Sequence, residues 1–360
     1  MKKSKRVTFI ISFLFLCIFA FCQSVLAQDT WRERWKKKSD RSLFGLGGKD
    51  YRMPVVWITK PWGCGPGDYG RRIKFQGLIR FYKFHVPRGY KKGKPTAVVL
   101  AFHGGGGYPG ALRYQCGMDS IADRENFIVV YPAGTSRTGF KDRLLTWNDG
   151  RPFTDGAYSK IDDVGFVNAL LDDLAGYYAI DPNRIYACGF SNGAQFTNRL
   201  AQQLSNRIAA IAAVAGHRSA DDRFFPPPRP ISKMQFSGLK DYLAPYEGGA
   251  PPPKTKKGGI KVDFKFTLEP VKETIQSWAK HNGCPWRPSK TKKIGKAIMT
   301  RYGPGRDNTE VILWTLKDGG HTWPGGKMTL AEKAAELGPI NQDISASELI
   351  WEFFKKHPKR

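Results

Sequence analysis

The chain has 360 residues, 41% of them hydrophobic, and it carries a formal net charge of +27 at pH 7. This length and hydrophobic content are sufficient for one sizeable core, and we expect one main domain. The positive charge favours anionic surroundings such as acidic polysaccharide, anionic lipid or cell wall, but without a recognisable binding motif it does not indicate a nucleic-acid-binding protein.

The first 27 residues are typical of a secretory signal peptide. An apolar run covers residues 7–22, and residues 25–27 supply small or apolar side chains at a plausible cleavage point. The run is preceded by the cations Lys2, Lys3, Lys5 and Arg6. An uncleaved membrane anchor is the alternative, although the run is short for a membrane span. We therefore expect a secreted protein, extracellular or periplasmic, whose mature chain begins near Gln28.

Export changes the interpretation of the cysteines. Two of the six leave with the signal peptide, and Cys64, Cys116, Cys188 and Cys284 remain. Cys188 lies in an apolar run and is expected to be a buried free thiol, so at most one disulfide is predicted among the other three. Their spacing does not suit a zinc site, and we expect neither a metal nor a cofactor.

Regular hydrophobic patterns begin only after residue 71. Glycines interrupt residues 28–71, which we predict to be an irregular basic extension, and residues 72–360 are predicted to form the main domain. The predicted strands cover 79–86, 96–102, 127–131, 184–188, 208–215, 231–236, 297–302 and 311–316. The predicted helices cover 162–174, 192–204, 271–280 and 345–356. Strands that alternate with helices predict an α/β fold with a mainly parallel central sheet and helices on both faces.

The strongest local motif is Gly189-Phe190-Ser191-Asn192-Gly193, between a predicted strand and a predicted helix. It is typical of a nucleophile elbow, a sharp strand-to-helix turn that holds a serine in a strained backbone conformation. The flanking glycines are needed because side chains there would collide with neighbouring backbone. The pentapeptide also occurs by chance, but its strand-turn-helix context favours Ser191 as a nucleophile.

A nucleophilic serine needs a base within hydrogen-bond reach, and the base needs an orienting group. His321 lies in a glycine-rich loop directly after the last predicted strand, whereas His281 falls on a predicted helix. Asp241 directly follows another strand, while its competitors Asp221 and Asp222 precede that strand. Elbow hydrolases carry these groups in the order serine, acid, histidine. We therefore predict His321 as the base and Asp241 as its orienting acid.

Two backbone amides are expected to form an oxyanion hole. One is the amide of Asn192, directly after the nucleophile, and the other is expected to be that of Gly105 in the glycine loop after strand 96–102. A phosphate-binding loop is the alternative for these glycines, but no Lys-Ser or Lys-Thr follows them.

These pieces resemble the esterase family that includes polyhydroxybutyrate depolymerases, feruloyl esterases and acetyl xylan esterases. The resemblance extends from about Arg80 to the C terminus. It is carried by His103-Gly104, Trp147-Asn148, Asp162-Asp163-Val164-Gly165-Phe166, the elbow, Asp241 with Pro245-Tyr246-Glu247-Gly248-Gly249, and Gly320-His321-Thr322-Trp323-Pro324-Gly325. It implies the α/β-hydrolase fold and hydrolysis of carboxylic esters outside the cell through an acyl-serine intermediate.

Two tryptophans in these motifs are candidate substrate-binding residues. Trp147 is expected either to line the acyl pocket or to pack beneath the glycine loop. Trp323, beside the predicted base, is expected to be either a substrate platform or a structural wedge.

The sequence thus predicts an extracellular serine carboxylic-ester hydrolase. Its expected substrates are feruloyl or acetyl esters of plant polysaccharide, or hydroxyalkanoate esters. A peptidase of the same fold and a non-catalytic polysaccharide-binding protein on a hydrolase scaffold remain alternatives. We expect a monomer whose basic surface contacts an anionic polysaccharide or cell surface, or is simply solvated.

Overall fold

A computed structural model describes residues 55–58, 65–136, 144–151, 160–220, 226–251, 254–255, 261–262 and 266–359. The predicted signal peptide and residues 28–54 of the predicted extension lie outside the described residues. Export and the boundary of the signal peptide therefore stay predictions.

The strands follow the predicted pattern over most of the described chain. They are β1 Val56–Trp57, β2 Gly67–Phe75, β3 Leu78–Val86, β4 Thr96–Phe102, β5 Ile128–Pro132, β6 Thr135–Ser136, β7 Leu145–Thr146, β8 Ile180–Phe190, β9 Ala210–Val214, β10 Ser232–Gly238, β11 Lys254–Thr255, β12 Lys261–Val262, β13 Lys290–Ile294, β14 Ala297–Tyr302 and β15 Val311–Leu316. Two pairs, β6 with β7 and β11 with β12, form small separate ribbons, and the others share one sheet.

The helices are α1 Pro109–Cys116, α2 Met118–Glu125, α3 Asp163–Ala175, α4 Asn192–Leu204, α5 Val271–Asn282, α6 Leu330–Ala334 and α7 Ala346–Lys356, with a 3-10 turn at Arg306–Asn308. The Asp162 side chain caps α3 by accepting a hydrogen bond from the Gly165 amide. Across the described part of the chain, no helix combines the length and hydropathy required to span a bilayer.

The eleven-stranded sheet has the order β1-β2-β3-β5-β4-β8-β9-β10-β15-β14-β13. Its centre, from β5 to β15, is parallel throughout, while β2, β3, β14 and β13 join through antiparallel pairs. The predicted fold class is therefore confirmed. Because the central strands are parallel, the loops after β8, β10 and β15 emerge at the same end of the sheet, where ligands bind in such folds.

Both faces of the sheet are covered, which explains why β4 is buried at every position and apolar from Ala97 to Phe102. Side chains of Val99 and Ala101 pack into a core with α1, α2 and α7. The alternate side chains, Val98 and Leu100, pack into a second core with α3, α4 and α5. The strand is thus buried on two sides and positions the glycine loop that follows it.

The sheet begins earlier than the predicted boundary at residue 71. Strand β2 pairs with β3 over its whole length, so residues 67–71 belong to the sheet and not to an irregular extension. The strand carries charged residues because it has partners for them: Arg71 forms an ion pair with Asp173, and Asp68 with Arg113. Such charges obscured the strand pattern in the sequence.

Lys233 of β10 is fully buried between two helices. Its ammonium group donates a hydrogen bond to the Asn198 side chain and lies 4.9 Å from the centre of the Trp278 ring. Burial, followed by the nearby charge of Arg218, lowers the pKa of Lys233 to about 7. A lysine in the unfolded chain keeps its proton up to about pH 10.4. Between these values the unfolded state binds one more proton, so stability rises with pH.

We expect the free energy of unfolding to increase by a few kcal/mol between about pH 7 and pH 9.5, since each unit of pKa shift corresponds to about 1.4 kcal/mol. Lys233→Met is expected to remove most of this increase, because methionine has no proton to release. Urea denaturation of both proteins at the two pH values measures the difference. Lys92→Met, at an exposed position, is the control and should behave like the wild type. An equal pH dependence in Lys233→Met and wild type would contradict the assignment.

Candidate active site

The nucleophile elbow forms between β8 and α4, as the motif predicts. Ser191 has φ 54° and ψ −120°, a backbone conformation that is costly for a residue with a side chain. The turn is so tight that a Cβ on Gly189 would lie 2.2 Å from the Gly193 carbonyl oxygen, and one on Gly193 would lie 2.3 Å from that of Phe102. Only glycine fits at these two positions, and the turn presents the Ser191 hydroxyl at the end of the sheet.

Ser191, His321 and Asp241 form one continuous hydrogen-bonded chain. The His321 Nε2 atom lies 2.8 Å from Ser191 Oγ. On the other side of the ring, Nδ1 lies 3.0 and 2.9 Å from the two carboxylate oxygens of Asp241. The three residues are separated by up to 130 positions in the sequence. The ends of three parallel strands bring them together, so the geometry has the form of a serine, base and acid relay.

Asp241 is itself fixed by the loop in which it lies. Its Oδ1 atom accepts hydrogen bonds from the amides of Leu243 and Ala244, at 2.9 and 2.8 Å. Ser191, His321 and Asp241 are only 6%, 2% and 4% exposed, respectively. A carboxylate held in this way orients the imidazole and leaves Nε2 directed at the serine. The rival acids Asp221 and Asp222 lie outside the described residues.

The Asn192 side chain is fully engaged, which leaves its backbone amide as the group near the serine. Its Oδ1 accepts from the Thr146 hydroxyl and the Trp147 amide, and its Nδ2 donates to the Trp147 carbonyl and to Asp149. As the first residue of α4, Asn192 has an amide with no partner inside the helix. This position suits the oxyanion role predicted for it.

The glycine loop lies directly against the nucleophile. A Cβ on Gly104 would be 3.3 Å from the Cβ of Ser191. The amides of Gly106 and Gly107 already donate to Leu145 and Gly104 carbonyls. The amides of Gly104 and Gly105 are therefore the candidates in this loop for a second oxyanion donor. The assignment to Gly105 stays a prediction.

The sequence indicated no role for the His103 side chain, which fixes the shape of this loop. Its Nε2 atom accepts a hydrogen bond from the Gly134 amide, so its Nδ1 atom carries the proton and lies 2.8 Å from the Gly104 carbonyl oxygen. Burial lowers the pKa of His103 to about 4. The ring is therefore neutral at pH 7 and holds Gly104 beside the nucleophile. A histidine before a glycine run at a strand end is the signal that could have revealed this role.

Both tryptophans that were candidate substrate-binding residues prove to be packing residues. Trp147 is fully buried, donates from Nε1 to the His103 carbonyl and stacks on Phe196 at 5.0 Å. Trp323 is also buried, and its Nε1 donates to the hydroxyl of Ser347. Neither indole has a solvent-exposed face. The substrate-binding assignment is corrected to support of the glycine loop and of the His321 loop.

The sequence also indicated no role for another buried histidine, His217. It follows β9, and within the described residues neither of its ring nitrogens has a hydrogen-bond partner. Burial lowers its pKa to about 4, although the Asp241 charge acts in the opposite direction. This imidazole is therefore neutral beside the acid of the relay. His281 is half-buried on α5, with its Nε2 atom 3.3 Å from the Arg229 carbonyl oxygen, away from the relay.

Among the residues that the structure describes, side chains of metal-binding type occur together at one place away from the relay. Atoms of Asp68, His85 and Asp119 lie within 4.8 Å of one another. Arg113 pairs with both carboxylates, and His85 bridges Asp68 and Asp123. The carboxylates are thus already neutralised by cationic side chains, and the group is an ion-pair network that ties β2 and β3 to α1 and α2.

The described cysteines are all free thiols. Cys116 and Cys188 are buried, as expected for Cys188, and Cys284 is partly exposed. A disulfide between Cys116 and Cys284 is therefore not formed. Cys64, the third candidate for a bridge, lies outside the described residues.

Known proteins with similar sequences include esterases. NocK, a protein of Nocardia uniformis subsp. tsuyamanensis assigned as an esterase, is 28% identical over 79% of this chain and 81% of its own length. Feruloyl esterase B of Piromyces equi is 31% identical over 51% of this chain, and the matched region covers only 32% of that enzyme. No protein-family model matches the chain.

A solved structure supports the fold. The acetyl xylan esterase from Aspergillus awamori superposes with a TM-score of 0.51 at 14% identity, covering 79% of this chain and 98% of that enzyme. This likeness bears on the fold alone. The sequence relatives, in turn, support a carboxylic-ester hydrolase.

Proposed function

We propose that the chain is a carboxylic-ester hydrolase with the α/β-hydrolase fold, a serine esterase that acts through an acyl-serine intermediate. The observation that carries the proposal is the hydrogen-bonded chain from Asp241 through His321 to Ser191. We assign the roles of orienting acid, base and nucleophile to these residues in that order.

In the first half of the reaction, His321 Nε2 accepts the proton of the Ser191 hydroxyl while Oγ attacks the ester carbonyl carbon. The positive charge that develops on the imidazole is stabilised by Asp241, which contacts Nδ1. The imidazolium then gives its proton to the leaving alkoxide, and the alcohol departs. The acyl group remains attached to Oγ.

The negative charge on the carbonyl oxygen needs donors that are already in place. The Asn192 amide at the start of α4 is one, and its position benefits from the partial positive charge of the helix N-terminus. The glycine loop beside Ser191 supplies the other. Each such donor typically contributes on the order of 3 kcal/mol to transition-state stabilisation.

In the second half, water takes the place of the alcohol. His321 removes a proton from the water, the hydroxide adds to the acyl carbon, and the collapse of the tetrahedral intermediate releases the acid and restores the Ser191 hydroxyl. The same base and the same donors serve both halves, so no further group is required.

We propose that the substrates are feruloyl or acetyl esters of plant polysaccharide, with hydroxyalkanoate esters as the alternative, and that the protein acts after export. The support comes from the relatives, which include feruloyl esterases and, at 23% identity over 77% of this chain, a poly(3-hydroxyalkanoate) depolymerase of Paucimonas lemoignei. The signal-peptide pattern of residues 1–27 supports export.

A panel of methyl ferulate, acetylated xylan and short 3-hydroxybutyrate oligomers tests the substrate class. We expect kcat/KM for at least one of the first two substrates to exceed that for the oligomers by a factor of about ten or more, which corresponds to roughly 1.4 kcal/mol of transition-state discrimination. Ser191→Ala, assayed on each substrate, controls for contaminating activity. Hydrolysis confined to the oligomers would exclude the polysaccharide-ester proposal while leaving the acyl-serine mechanism intact.

A further inference from the structure

One edge of the central sheet carries a run of cations that the ester-hydrolysis mechanism does not use. The terminal strand β13 and the segment before it contain Arg287, Lys290, Lys292 and Lys293, all exposed. None of these four side chains forms an ion pair with an acid among the described residues. Residues 274–306 contain no aspartate or glutamate at all. We call these four cations, together with Trp286, the basic edge.

Trp286 indicates that the charges of this edge do more than prevent the strand from pairing with other chains. Lysines on an exposed edge strand prevent pairing with other chains, and that need would explain the lysines alone. The Trp286 side chain, however, is 76% exposed, the most exposed of the large apolar residues described. The Arg287 guanidinium lies 4.9 Å from the centre of its ring. A rigid aromatic face beside cations provides both stacking area and charge for a polar ring that bears an anion.

The basic edge runs along β13 toward the active-site end of the sheet. Trp286 and Arg287 lie at its other end, because Lys290 pairs with Arg301 of β14, which in turn pairs with Ile312 near the start of β15. Strand β13 runs from Lys290 to a turn at Lys296, whose carbonyl accepts a hydrogen bond from Lys317 directly after β15. Lys296 also pairs with Asp318 at 3.3 Å, three residues before His321. Only β14 separates β13 from β15, so the edge is about 10 Å from the strand that carries the His321 loop.

We propose that the basic edge binds a carboxylate-bearing polysaccharide and holds it alongside the active site. Side chains of Lys290 and Lys292 lie on one face of the strand, about 7 Å apart, and can contact successive acidic sugars. Trp286 then stacks on one sugar ring. The proposal deepens the proposed function because it names the class of polymer that carries the ester, but the binding itself does not depend on catalysis.

Other anionic partners fit this surface less well. Single-stranded nucleic acid is bound by stacking successive bases on several aromatic side chains, together with a cationic groove, whereas the basic edge offers one aromatic ring. Attachment to a membrane surface is favoured by an amphipathic helix with a broad apolar face, and the basic edge is a strand with alternating cations. A polysaccharide of acidic sugars matches this surface, because one sugar ring can stack on Trp286 while the carboxylates of others contact the row of cations.

The test is binding of the purified full-length protein to polygalacturonate and to glucuronoxylan. All measurements use a Ser191→Ala background, so that failure of the catalytic proposal cannot affect them. We expect R287Q/K290Q/K292Q/K293Q to raise the Kd at least tenfold and 1 M NaCl to abolish binding. Trp286→Ala is expected to weaken binding several-fold without changing its dependence on salt. These five side chains are exposed, so their replacement should leave the fold unchanged.

The matched control removes the same charge elsewhere. K91Q/K92Q/K94Q/K272Q replaces four exposed lysines away from β13 and should bind as the parent protein does. Equal losses in the two quadruple variants would mean that net charge, and not the basic edge, causes binding, and would overturn the proposal. Absence of binding to both acidic polymers would do the same. Tighter binding to duplex DNA or to vesicles with phosphatidylglycerol, lost in R287Q/K290Q/K292Q/K293Q, would assign the surface to another partner.

Discussion

Ser191→Ala is expected to lower kcat for p-nitrophenyl butyrate by a factor on the order of 10⁶, the loss typical of removing the nucleophile from such a relay. The reason is geometric. Ser191 Oγ is the atom 2.8 Å from His321 Nε2, and alanine offers no atom that could form the acyl intermediate. A residual acceleration remains, because the oxyanion donors and the binding of substrate are unaffected.

The matched control for this variant is Ser120→Ala. Ser120 is exposed on α2, where its hydroxyl donates to the Gly117 carbonyl, and it is far from the relay. We expect wild-type kcat and KM from this control. A fluorophosphonate probe that reacts with the wild type and with Ser120→Ala, but not with Ser191→Ala, would identify the nucleophile directly. Unchanged hydrolysis by a folded Ser191→Ala protein would remove the basis for the mechanism.

Asp241→Asn is expected to lower kcat by a factor on the order of 10⁴ at neutral pH while leaving the fold intact. The position of the carboxylate explains why. Oδ1 accepts hydrogen bonds from the backbone amides of Leu243 and Ala244. The carbonyl oxygen of an asparagine would therefore take the position of Oδ1. Its amide group must then occupy the position of Oδ2, 2.9 Å from His321 Nδ1.

An amide at that position donates to Nδ1 and thereby forces the imidazole proton onto Nε2. That atom faces Ser191 and can no longer accept its proton, so the base is in the wrong tautomer. Asp307→Asn is the matched control, since Asp307 is exposed on the 3-10 turn before β15. We expect normal activity from it. A loss of less than tenfold in Asp241→Asn would show that this carboxylate does not fix the tautomer.

The relay and the basic edge are expected to act independently, the first in ester hydrolysis and the second in binding of acidic polysaccharide. Ser191→Ala and Asp241→Asn alter the relay, which is buried at the end of the sheet, and should leave binding to acidic polysaccharide unchanged. Conversely, R287Q/K290Q/K292Q/K293Q should hydrolyse a small soluble ester at the wild-type rate. Activity on an acidic polymer is the one measurement in which both sets of residues are expected to contribute.

Local pattern was sufficient to predict the central strands and the main helices. The boundaries of β4, α4, β14 and β15 agree with the prediction residue by residue, because each is an uninterrupted apolar or amphipathic segment with a clear breaker at its ends. The elbow motif and the order of serine, acid and histidine likewise identified the three residues that the structure brings together.

Segments that depend on distant partners were not predictable in this way. Strand β2 is rich in charge and becomes a strand only because Arg71 and Asp68 meet opposite charges on other elements. Helices α1 and α2 have eight residues each, too short for a distinct periodic pattern. Their stability comes from packing against the sheet, which the local sequence does not encode.

The sequence by itself determined the fold class, the identity of the relay residues and the resemblance to esterases, because periodicity and motif spacing are local properties of the chain. Only the tertiary structure decided that Trp147 and Trp323 are buried supports, that His103 fixes the glycine loop, and that β13 exposes a row of cations with no acidic partner among the described residues. Burial, charge pairing and hydrogen-bond partners depend on residues that are remote in sequence, so they are defined only once the chain has folded.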